Sequence, residues 1–167
     1  SVGWKLSGAA AEKIVDFELN KIQGFNSLAN VILPFDYGSK NATNQIDNVV
    51  ITSCGIFCIE IKSKEIVDGL YNFNREDDQR EFVVQTINHT RAVKKILLDN
   101  GIFIPSKYIY PVLLIMNRKA DKKGQNFRIV SDLRHFDVIN LDQLQSLGNN
   151  KDSILTPDQV QEVIHVF

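Results

Sequence analysis

The sequence predicts one mixed α/β domain, and three observations predict it. An amphipathic helical stripe comes first, two dense β-branched runs then flank a short turn, and a long helical pattern precedes another buried strand. A chain of 167 residues suits a single domain that buries roughly 70% of its unfolded surface. No repeat, low-complexity tract or Pro/Gly-rich linker divides it, so residues 1–167 are read as one unit.

The first helix is expected to start near Ser7 or Gly8. Ala11, Val15, Leu19 and Ile22 recur at helical spacing, Glu12 borders that apolar face, and Gly24 is a plausible stop. Leu28 to Phe35 reads as a strand ending around Pro34, followed by a polar loop from Asp36 to Asn44. Gln45 to Ile51 and Gly55 to Lys62 are β-branched runs around the tight turn Thr52-Ser53-Cys54-Gly55, which predicts a hairpin. Both faces of each run are apolar, placing the hairpin in a sheet covered on two sides. Ile66 to Phe73 suggests a further strand kinked at Gly69. A long helix is expected over Gln79 to Asp99, buried through Phe82, Thr86, Val93, Ile96 and Leu97 and closed by Asn100-Gly101. Tyr108 to Met116 reads as a buried strand, Asn117 to Phe127 as a basic loop, and Arg128 to Ser131 and Phe136 to Ile139 as short strands. Asn140 caps a brief helix ending at Gly148. Thr156-Pro157-Asp158-Gln159 combines an N-cap, a first-turn proline and a glutamine at the third position, so a last helix starts there.

Hydrophobic residues make up 44% and charged residues 23%, the balance of a soluble globular protein. No apolar run approaches the ~20 residues of a membrane helix, and Ser1 to Lys5 lacks the apolar stretch of a secretory signal. A cytoplasmic location is the expectation, with no membrane partner. Cys54 and Cys58 match neither a zinc pattern nor a disulfide framework, and Cys58 is expected in the core. The net charge of −1 argues against nonspecific coating of nucleic acid, which needs a positive excess, yet leaves room for an enzyme with a local basic patch. The absent starting Met and the end at Phe167 inside a helical pattern suggest a piece of a longer protein.

The hairpin holds the informative residues. With Ser53 and Cys54 as a two-residue turn, Asp47 faces Glu60 across the strands with Cβ atoms about 5 Å apart. Lys62 projects on the same face as Glu60, with Gln45 as its own cross-strand partner. Two opposed carboxylates among apolar residues repel each other and lose hydration, and a divalent cation offsets both costs. Oxygen ligation favours Mg2+ or Mn2+, with the Ile61 backbone carbonyl as a third donor. An ion so held can polarise a phosphate oxygen and activate water, while Lys62 orients the nucleophile or stabilises developing charge. The competing reading makes Asp47 a solvated strand end and Glu60–Lys62 a surface pair. The face of Asp47 depends on turn length, since a slip of one residue would reverse it.

Gln45-Ile46-Asp47, Gly55-Ile56-Phe57 and Ile59-Glu60-Ile61-Lys62 together resemble the nuclease-related domain (NERD) family of the PD-(D/E)xK nuclease superfamily. Glu12 with Val15 and Leu19 resembles the family's N-terminal glutamate helix. Phe82 to Gln85 with Asn88 and His89 resembles its asparagine-proline-x-x-glutamine helix, and Ile139 to Leu147 its closing strand and short helix. The resemblance runs from about Glu12 to Leu147. It implies a central mixed β-sheet flanked by helices, a restriction-endonuclease-like core. It implies metal at Asp47 and Glu60, catalysis by Lys62, and supporting roles for Glu12 and Gln85. Two departures stand out: Ile46 replaces the superfamily proline, and Glu81-Phe82 stands near the missing asparagine-proline pair. Family members occur fused to helicases, kinases or zinc-ribbon modules.

The function expected is a Mg2+-dependent nuclease using an Asp-(x12)-Glu-x-Lys site on DNA rather than RNA, cutting endonucleolytically. The rivals are a catalytically silent nucleic-acid- or protein-binding module with the same fold, and a metal enzyme acting on a small phosphorylated substrate. Gln85 and His89 share a helix face. Gln85 is read as holding a metal-bound water or phosphate, and His89 as ordinary helix polarity rather than a backbone contact. Glu12 read alone is a first-turn carboxylate favoured by the helix dipole. Arg118, Lys119, Lys122, Lys123 and Arg128 are read as a solvated cluster before a phosphate site. His135 and His165 are isolated.

Overall fold

A computed structural model describes residues 6–34 and 43–167. The segment Ser1 to Lys5, Phe35 at the expected strand end, and the loop expected from Asp36, up to residue 42, lie outside the described residues.

Helix α1 spans Gly8–Leu19, with the Ser7 hydroxyl accepting from the Ala10 N–H at its start. It buries Ala11, Val15 and Leu19 and ends before Ile22, which follows in a turn. Strands β1 (Asn26–Pro34), β2 (Thr43–Thr52) and β3 (Gly55–Lys64) form an antiparallel meander. Strand β4 is confined to Leu70–Asn72, because the chain turns through Asp68 and Gly69 at positive φ. The expected long helix is divided into a turn α2 at Glu76–Asp78, a π-helical segment at Gln79–Val83, and α3 at Val84–Asp99. Strands β5 (Ile109–Asn117), β6 (Arg128–Val130) and β7 (Asp137–Ile139) follow, then a 3-10 turn at Leu141–Ser146 and helix α4 at Pro157–Val166. Both terminal caps take the expected form: Asn140 and Thr156 each sit in a capping box with the glutamine three residues on.

The main sheet has the order β1-β2-β3-β5-β7, antiparallel as far as β3 and parallel from β3 to β7. Strands β4 and β6 pair in a second, two-stranded sheet. This is the mixed α/β domain that the sequence predicted, with the central sheet flanked by helices that the resemblance implied. Val50, Phe57, Ile59, Val112, Leu114 and Met116 point to one face under α1. Val49, Ile51, Ile56 and Cys58 point to the other, under Val93 and Leu97 of α3 and Val160 and Val163 of α4. Cys58 is buried and Cys54 partly so, and both are free thiols. Phe82 from the π-helical segment joins Phe73, Phe127 and Phe136 in a third cluster over Leu113 and Ile115. No helix among the described residues is long and apolar enough to cross a membrane.

Candidate metal centre at a fork in the sheet

The hairpin has the expected register, with Thr52 opposite Gly55 and Asn48 opposite Ile59. The ladder stops there, which corrects the expectation that it carries Asp47 against Glu60 and Gln45 against Lys62. Beyond that point β2 goes on pairing with β1 as far as Thr43, while β3 goes on pairing with β5 through Lys64. The two strands therefore fork. Alongside the fork, Asn30, opposite Asp47 on β1, adopts φ +52°, and its pair with Asp47 is missing from the β1–β2 ladder. Ile46 consequently joins the same buried cluster as Val49, three residues away, which an unbroken alternation forbids.

Asp47 sits in the crotch of the fork. Its Oδ2 accepts from the Ile61 N–H at 2.8 Å, replacing the ladder bond that β2 no longer supplies. Burial, then the charge of Glu60, raise the Asp47 carboxyl to about 8. The Ile61 N–H pulls the other way, while a hydrogen bond with Glu60 and the field of Glu12 add to the rise. The structure thus brings Asp47, Glu60 and Glu12 within mutual influence, although Glu12 comes from α1 on the other side of the sheet.

Glu60 is 5% exposed and is bracketed by two bases. The Lys62 Nζ stands 3.7 Å from Oε1, and His89 Nδ1 stands 3.3 Å from Oε2. Neither His89 Nδ1 nor Glu60 Oε2 makes a hydrogen bond of good geometry, although both are shut off from solvent. Lys62 is partly exposed, and its ammonium lies 4.9 Å from the Phe82 ring centroid. Lys64 shares that ring at 4.7 Å and pairs with Asp78 at 3.4 Å, and the Asp78 Oδ2 accepts a 2.5 Å hydrogen bond from Tyr71. A π-helical segment holds Phe82 in this position, a local geometry frequent at functional sites.

Gln85 stands one turn before His89 and opens on a cleft of about 450 Å3 between α3 and the free half of β2. No hydrogen bond joins it to the carboxylates. His89 is buried against Glu60, contrary to its reading as ordinary helix polarity. Its position was available in the apolar stripe itself: Thr86, Val93 and Leu97 leave a gap one turn long, and His89 fills it.

The basic loop after β5 is tied down. Gln125, fully buried, accepts from the Asn117 N–H and donates to the carbonyls of Asn117, Ala120 and Asp121. Lys119 pairs with Glu65, Lys122 with Glu18, and Arg118 donates to the Ser63 carbonyl. Lys123 and Arg128 are exposed.

The carboxylates fit a hard cation. Burial, then the charge of Glu60, push the Asp47 carboxyl up, and Glu60 has a buried oxygen without a hydrogen-bond partner. Among the described residues no three His, Cys, Asp or Glu side chains are gathered at ligand spacing. Two carboxylates supplemented by backbone oxygen and water is nevertheless the usual protein contribution to a Mg2+ site.

The model of the nuclease-related domain (NERD) family matches residues 7–116, which include α1, the hairpin and α3. The sequence is also 24% identical over 177 residues to pXO1-01, an uncharacterized protein of Bacillus anthracis, covering 98% of this chain and 76% of that relative. A solved crystal structure of a protein of unknown function, AF1548, aligns over 92% of the chain at 13% identity with a TM-score of 0.39. The chain spans 65% of that protein's length.

Proposed function

Because the chain belongs to the nuclease-related domain family, we propose that it is a Mg2+-dependent nuclease that hydrolyses DNA phosphodiesters endonucleolytically. The observation that carries this reading is the meeting of Asp47 and Glu60 at the fork, with Lys62 beside Glu60. Asp47 and Glu60 would hold Mg2+, or Mn2+ in its place. The Ile61 carbonyl, which faces the same side of its strand as the N–H bound to Asp47, would be a third oxygen donor. When bound, the ion supplies Lewis acidity to a phosphate oxygen and lowers the pKa of water.

The chain's own residues set the rest. Lys62 is kept near the carboxylates by Glu60 and against the Phe82 ring, where its ammonium can orient the attacking water or stabilise developing negative charge. His89 stands 3.3 Å from the second Glu60 oxygen, where it would bias the carboxylate's orientation. Glu12 adds negative potential at Asp47, and Gln85 offers an amide to a metal-bound water at the edge of the adjoining cleft.

The test is plasmid DNA incubated with the protein in Mg2+ or Mn2+. Nicking is expected from the native chain and should fall by about a hundredfold or more in Glu60→Ala and in Lys62→Ala. Cleavage that survives both substitutions would assign the activity elsewhere. A second reading, a nucleic-acid- or protein-binding module without turnover, is favoured by the contact that already pairs Lys62 with Glu60. Calorimetric titration with Mn2+ separates the two: no heat at millimolar metal selects the silent module.

A further inference from the structure

The cleft beside Glu60 is lined by amides. Asn44 and Gln45 of β2 line one side of it and Gln85 and Asn88 of α3 the other, and His89 forms part of its wall. Among the described residues, none of these four amide side chains has a hydrogen-bond partner. Asn44 is the most buried of the four, at 6% exposed. Gln45 is exposed and Gln85 and Asn88 are half-buried, so the four amides line an open groove whose donors and acceptors can turn to a ligand.

The chemistry of the lining selects the ligand. No lysine or arginine lines the cleft and Glu81 does, so a phosphate would meet repulsion there. Carboxamides present donor and acceptor side by side, the pattern that matches the edge of a nucleobase. Val84, 55% exposed, lies on the same wall and offers an apolar surface to the face of a planar ring. A volume of about 450 Å3 falls within the range of small-molecule pockets. His89 lines this cleft and also stands 3.3 Å from Glu60, so a group seated in the cleft would adjoin the carboxylates.

We propose that this cleft is a nucleobase subsite that receives an unpaired base next to the scissile phosphate, directing the enzyme to single-stranded or locally opened strands. The position of that phosphate rests on the nuclease reading above. A base can reach the cleft only when it is out of the duplex stack, which costs a few kcal/mol in paired DNA and least in a single strand.

The experiment measures fluorescence anisotropy in EDTA, where cutting is absent. The native chain is titrated against a labelled single-stranded DNA oligonucleotide, the same strand made abasic, and the blunt duplex. The intact single strand should bind at least about tenfold more tightly than the other two. Asn44→Ala and Asn88→Ala should each lower its affinity about fivefold and leave duplex binding unchanged. Asn88 lies on the half-buried surface of α3, so its variant keeps the test valid if Asn44→Ala fails to fold, which thermal melting would show. Equal binding of intact and abasic strands, or indifference to Asn88→Ala, overturns the proposal. A preference for bases in a protein that never cleaves would support the subsite and remove the nuclease reading. Mn2+-dependent cleavage without base preference would do the reverse.

Discussion

Asp47 is an acid held away from water beside Glu60 and in the field of Glu12, and its carboxyl rises from an ordinary 3.8 to about 8. The folded state therefore keeps a proton that the unfolded chain has already released between those values. The stability associated with that proton is complete below pH 3.8 and disappears as pH climbs to about 8. The metal-free protein should accordingly melt at lower temperature at pH 8 than at pH 5. In Asp47→Asn, where the amide oxygen can still accept from Ile61 N–H, this decline should be much reduced. Mn2+ should raise the native melting temperature more at pH 8 than at pH 5, because it replaces the proton. An equal pH slope in the native protein and Asp47→Asn would contradict this account. His89 provides a second residue-scale test. Standing against Glu60 Oε2, it orients the carboxylate and is not a ligand in this account, so His89→Ala should weaken Mn2+ affinity about tenfold or more in calorimetry. Unchanged affinity would make His89 mere packing.

The hairpin and its fork set the geometry at the scale of elements. Gly55 opens β3 at φ +128°, and a Cβ there would lie 2.2 Å from the Tyr108 carbonyl oxygen. Gly55→Ala should thus cost more than about 2 kcal/mol in urea unfolding through clash and backbone strain combined. A loss within about 0.5 kcal/mol would mean that the turn leading into β5 yields easily. The turn between Thr52 and Gly55 was legible in the sequence, because small polar residues interrupt two β-branched runs. Its register brought Asp47 and Glu60 near each other. The fork was not legible: it accompanies a non-glycine residue, Asn30, at positive φ in a neighbouring strand, and no local pattern announces that. The π-helical turn was equally hidden, since residues 79–99 read as a single helical pattern and the extra residue per turn is fixed by packing of Phe82 into the third cluster. Caps at Ser7, Asn140 and Thr156 were readable because their hydrogen bonds lie within three residues along the chain.

At the scale of the molecule, charge is balanced, and part of the basic loop is engaged in ion pairs. The net charge is −1, and the loop lysines 119 and 122 are neutralised by Glu65 and Glu18. Affinity for duplex DNA should therefore depend weakly on salt, with a log–log slope no steeper than about −3 between 50 and 200 mM salt. A slope near −6 would reveal a basic surface that these pairs do not suggest. Layering and class were evident from sequence because both faces of the hairpin are apolar and must be covered. The loop after β5 looked like a free basic patch, since nothing nearby signals that Gln125 is buried and staples it from inside. The central proposal is that Asp47 and Glu60 grip a hard cation where the sheet divides. Anomalous scattering from a crystal soaked in Mn2+ tests it most directly. The expected result is a peak within about 2.3 Å of oxygens from both side chains, absent in Glu60→Ala. A fully soaked crystal with no peak between them, or with Mn2+ bound only at another place, would contradict it.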